Sequence, residues 1–124
     1  MNVLERMVEA VEPGGSVLDL QVIRPNPLVE LDGRVVCEID GEPLFEWADA
    51  ATAAVDAAIA AGSLADEAAD DHDVFTHYPT GDDLVADFEG ARRRIPPESM
   101  PALAATESPL VIRERCRLRR LRVL

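Results

Sequence analysis

The sequence predicts a single α/β domain over residues 1–124. Three observations lead there. Amphipathic helical stretches alternate with short apolar runs, Pro and Gly mark the turns between them, and 124 residues suit one compact core. The composition is that of a folded chain, 48% hydrophobic but only 4% aromatic, so the core must be built from Val, Leu, Ile and Ala.

Asn2 to Glu12 set Val3, Leu4, Met7, Val8 and Val11 on one helical face, and Pro13-Gly14-Gly15 stops that helix. Ser16 to Ile23 reads as a strand buried on both faces, interrupted by Asp19 and Gln21. Asp32-Gly33 between Leu28 to Leu31 and Arg34 to Ile39 is a hairpin signal. From Pro43 the period becomes helical. Leu44, Trp47, Ala48, Ala51, Val55, Ala58 and Ile59 form one stripe, and Gly62 closes it.

Asp73 to Tyr78 is expected to be a strand, and Thr80-Gly81-Asp82-Asp83 has the pattern of a helix start. Arg92 to Pro97 reads as a loop, followed by a short helix around Met100 to Ala105. In the closing run PLVIRERCRLRRLRVL, Ile112, Glu114, Cys116 and Leu118 keep one phase, while Leu121 and Val123 keep the other. A bulge near Arg119-Arg120 would return both sets to one face.

The formal net charge of −12 is unevenly spread. Residues 91–124 hold nine of the twelve arginines and only three acids, and there is no lysine. The basic run alternates with apolar residues as a strand does, so the two halves are expected to neutralise one another within one fold. Overall acidity also argues against a nucleic-acid partner, because phosphate affinity comes from Lys and Arg. No apolar run is long enough to span a bilayer, and no basic-then-apolar leader opens the chain, which predicts a soluble cytoplasmic protein. Cys37 and Cys116 are far apart and read as small buried side chains.

The order is helix, Pro-Gly-Gly turn, strand, inserted hairpin, long helix, strand, helix, long final strand. In this order the chain resembles the C-terminal half of a class I S-adenosylmethionine-dependent methyltransferase. There a helix ending in Pro-Gly-Gly leads into the fifth strand, as Val8 to Leu20 would here. The sixth and seventh strands form an antiparallel pair, here Asp73 to Tyr78 and Pro109 to Val123. The segment RRRIPPESMPALAATESPLVIRERCRLRRLRV is similar to the closing segments of bacterial methyltransferase-like proteins. The resemblance implies a partial Rossmann-like sheet with an inserted β-hairpin and flanking helices.

In that family the cofactor loop lies on the first half of the sheet, and nothing here maps onto it. Gly14-Gly15 comes before a strand instead of after one. The expectation is therefore a methyltransferase-like domain without its own S-adenosylmethionine site, inactive alone. It would act as a homodimer, or with a partner that supplies the missing half and with it the cofactor. The edge of Val17 to Ile23 is the surface that needs pairing.

A substrate or small ligand would be sought at the C-terminal end of that strand, at Arg24, Asn26 and Trp47. Trp47 also reads as a core residue, and both readings stay open. Arg92-Arg93-Arg94 suits either an anion or a solvated loop. A stand-alone binding module is the alternative. So is an independent enzyme using the ADDHDVFTHY cluster, from Asp70 to Tyr78, although His72 and His77 would point to opposite faces of a strand. No catalytic residue or metal ligand can be named.

Overall fold

The computed structural model describes residues 3–124; Asn2, the first residue of the expected N-terminal helix, lies outside them. Its helices are α1 (Val3–Ala10), α2 (Leu44–Ala60), α3 (Gly81–Asp87) and α4 (Met100–Ala104). Its strands are β1 (Ser16–Val22), β2 (Leu28–Leu31), β3 (Arg34–Glu38), β4 (Leu64–Tyr78) and β5 (Leu110–Val123). The strands form one open sheet in which every pairing is antiparallel.

β5 organises the sheet. Along one side it pairs with β4 from Leu64 opposite Val123 to Tyr78 opposite Leu110. Along the other it pairs first with β1, from Ser16 opposite Arg122 to Val22 opposite Cys116, and then with β2. β2 turns into β3 through Asp32 and Gly33, whose φ values of 51° and 76° are those of a tight hairpin turn.

The core is split between the two faces. Leu121 and Val123 pack with Val17, Leu64 and Val55 under α2 and α1. Leu110 and Ile112 point the other way and pack with Val29, Cys37, Ile39, Leu84, Ile95 and Leu103 beneath α3 and α4. This overturns the expected bulge at Arg119-Arg120. The two apolar phases of β5 serve opposite faces, so its register with β1 runs without a shift. The irregularity sits in β4, between Asp66 and Ala68.

Two further expectations are corrected. The strand expected from Asp73 begins at Leu64. Its Ala and Asp residues have poor strand propensity, but most of its acids lie beside arginines of β5. β1 is covered on one face only. Val17 is buried, whereas Leu18 is 61% and Leu20 58% exposed, because no helix among the described residues covers the other face at that end of β5.

Local signals were met where expected. Thr80 Oγ1 accepts the Asp83 N–H at 3.3 Å and caps α3. Gly62, at φ 81°, ends α2 with its N–H donating to Ile59 C=O at 3.1 Å. Within α2, however, Phe45, Ala48 and Val55 are the buried residues. Phe45 fills the space over Gly41, where a Cβ would strike its ring, and Trp47 turns out to solvent.

Candidate functional site

The residues singled out by sequence sit where β1 leaves the sheet and α2 begins. Arg24 follows β1. Its Nη1 and Nη2 donate to the two carboxylate oxygens of Asp49 at 3.1 and 3.0 Å, and Nη2 also reaches Glu42 at 3.3 Å. The Asp49 hydrogen bond, with the charges of Asp49 and Glu42, raises the guanidinium above its ordinary value. Phe45 lies beneath it, 5.0 Å from ring centre to guanidinium.

Across from Arg24 stands the arginine loop. Leu44 N–H donates to Arg92 C=O at 3.0 Å, and Asp40 and Arg94 exchange backbone hydrogen bonds of 2.9 Å, so the loop is tied to both the hairpin exit and the start of α2. Arg92 stacks on Trp47 at 4.0 Å. Here lies an open depression of about 800 Å³, lined by Arg24, Arg92 and Arg94 and by Glu42, Glu46 and Asp49. A lining of both charges suits a small ligand that carries both.

Arg24 and, through Arg92, Trp47 therefore belong to one groove. Asn26 does not: its Oδ1 accepts the Gly41 N–H at 3.0 Å, and it lines a separate small recess. Its task is to hold the chain ahead of α2. The acids of the lining were not singled out from sequence, though Glu42, Glu46 and Asp49 stand at the i, i+4, i+7 spacing of one helical face.

The Asp70 to Tyr78 cluster is spread over β4. His72 lies opposite Cys116 and His77 opposite Val111, positions of opposite parity, so the imidazoles occupy different faces. His72 Nδ1 approaches Asp70 at 3.1 Å but is not aligned for a hydrogen bond. Tyr78 O–H donates to Asp87. Burial and that hydrogen bond push Tyr78 up to about 12. Among the described residues, no three His, Cys, Asp or Glu side chains are grouped to hold a metal ion. Cys37 and Cys116 are buried free thiols, both raised mainly by burial.

The Gly14-Gly15 pair does not fit a methyl-donor loop. Gly14 N–H donates to Val123 C=O at 2.7 Å, and Gly15 N–H to Glu12 C=O at 2.8 Å. A Cβ on Gly15 would meet Val11 and Glu12, not a ligand cradle. These glycines turn the chain from α1 into β1. No helix among the described residues is long and apolar enough to cross a membrane. Comparison with protein-family models, with characterised proteins and with solved structures gave no match.

Proposed function

We propose that this chain is a methyltransferase-related module without a cofactor site of its own, which works by association, as a dimer or with a partner that completes the sheet. The observation carrying this reading is the unfinished side of the sheet. β5 is flanked throughout its length, while β1 ends the sheet with no strand on its outer edge among the described residues. The antiparallel β4–β5 pair and the Pro-Gly-Gly turn into β1 support the resemblance to a Rossmann-like methyltransferase half, as does the long helix that follows the hairpin. The spent amide groups of Gly14 and Gly15 support the absence of methyl-donor binding.

Calorimetric titration with S-adenosylmethionine tests this, together with fluorescence of Trp47, the single tryptophan, which sits beside the charged groove. No heat and no fluorescence change are expected. Saturable binding would overturn the reading and require assay of the chain as an enzyme.

The groove between Arg92 and Asp49 favours a second reading, a stand-alone module that binds a small charged molecule. It predicts quenching or enhancement of Trp47 by such ligands without any response to the methyl donor. The His72 to Tyr78 cluster gives an independent enzyme less support, because its two histidines do not share a face.

A further inference from the structure

Among the described residues, no strand pairs with the outer edge of β1. Ile23 N–H donates to Arg115 C=O at 2.9 Å, and Val123 N–H donates to Gly15 C=O at 2.8 Å. Odd-numbered residues of β1 therefore turn their backbone groups to β5. By antiparallel alternation, Ser16, Leu18, Leu20 and Val22 aim their N–H and C=O groups outward. Leu18 and Leu20 are also more than half exposed, and of the ten exposed large apolar side chains among the described residues four, Val3, Met7, Leu18 and Leu20, belong to α1 and β1. An edge with open backbone groups and apolar side chains is a template for another strand.

We propose that β1 pairs antiparallel with β1 of a second copy of this chain, about a twofold axis at Leu20. The strand sequence SVLDLQV selects this occupant and this register. Centred on Leu20, the pairing sets Leu20 against Leu20, Leu18 against Val22, Asp19 against Gln21 and Val17 against Ile23. Centred on Asp19, it would set two carboxylates face to face. Centred on Leu18, it would set Val17 against Asp19 and Ser16 against Leu20.

Only the first register opposes apolar residues to apolar ones and the acid to an amide. It is self-complementary, as a twofold interface must be. It forms about six backbone hydrogen bonds, since the outward-pointing residues meet one another. The other long edge cannot do the same: β4 carries Asp66, Glu67, Asp70, Asp71 and Asp73, and its self-pairing would bring acids together. The inference rests on the proposed function, because it names the partner through which the module associates.

Sedimentation and light scattering of the whole chain over a range of micromolar concentrations test it. The wild type is expected to dimerise. Leu20→Arg, at an exposed site, puts two guanidinium groups across the axis and should leave a monomer with an unchanged circular-dichroism spectrum, weakening association about 100-fold or more.

A second variant fixes the register. Leu20→Cys should give a disulfide-linked dimer on mild oxidation, because hydrogen-bonded antiparallel partners stand about 5.5 Å apart at Cα, within disulfide range. Leu18→Cys, which faces Val22, should not. The native thiols are buried and do not compete. A monomeric wild type overturns the proposal, as does a dimer indifferent to Leu20→Arg or a Leu20→Cys protein that does not cross-link. If such a protein also ignores S-adenosylmethionine, self-pairing alone has failed. If it binds that cofactor, the functional reading has failed as well.

Discussion

β4 and β1, on opposite sides of β5, are held to it differently. β4 buries one side chain, Leu64, and runs beside β5 for fifteen residues in a backbone ladder crossed by ion pairs. Arg117 grips Asp71 with two bonds of 2.7 and 2.9 Å, Arg115 reaches Asp73 at 3.2 Å, and Arg120 and Arg122 share Glu67 at 3.4 and 3.8 Å. β1 has none of these. Asp19 accepts a hydrogen bond from Gln21 of its own strand, and β1 is anchored by Val17 in the core and by the turn that precedes it. The acids of β4 thus serve twice, fixing the strand to β5 and charging its outer edge against other strands. β1 has no such guard, which is why its edge is the place to look for a partner.

The contrast is broken most strongly at Arg119. It is the one buried charged residue on the described chain and bridges Asp56 of α2 at 3.0 Å and Asp66 of β4 at 3.1 Å. Burial lowers its pKa, but the two carboxylates more than offset that and leave it raised. Arg119→Ala removes the packing of its stem and leaves two acids near each other. The expected loss is about 2 kcal/mol, read as a fall of about 8 °C in melting temperature. On the β1 side the equivalent weak point is backbone geometry. Gly14 sits at φ 87°, so Gly14→Ala should cost about 1 kcal/mol in a denaturant titration, although nothing crowds the added methyl.

This division also explains what the sequence made legible. The Asp32-Gly33 turn, the Thr80 cap and the Gly62 stop are local devices, readable from a few adjacent residues. The first nine residues of β4 were not readable, since Leu64 to His72 is an Ala and Asp run that becomes strand only beside the arginines of β5. The two phases of β5 looked like a bulge because periodicity does not say that two cores lie on opposite faces. Arg24 was singled out by its position after β1 and Trp47 by its place on the stripe of α2, and the fold brings both beside one groove. Asn26 lies apart, its amide accepting from Gly41, and Glu42, Glu46 and Asp49 were not singled out from the sequence.

Alkali should loosen the far end of β4. The Tyr78 hydroxyl, raised to about 12, is protonated more firmly in the fold than in the unfolded chain. Its contribution is complete below the ordinary tyrosine value of about 10 and is lost as pH rises from there through about 12. Stability measured across that window should fall, and Tyr78→Phe should flatten the fall while leaving β1 unaffected.

The smallest effect concerns the exposed pair Arg117 and Asp71. The hydrogen bond from Arg117, aided by its charge and that of Arg115, lowers the Asp71 carboxyl. A depressed carboxylate stabilises above its unfolded pKa and stops doing so as pH falls through its folded value, so this contribution disappears in acid. Water screens the pair, so Arg117→Gln should leave global stability at neutral pH almost unchanged. The informative readout is local. Amide exchange should accelerate in β4 around Asp71 on substitution or on acidification, while the amides of β1 that bond to β5 keep their protection. Equal acceleration in both strands would mean that the ion pairs stabilise the sheet as a whole, and that the two flanks of β5 do not stand on separate forces.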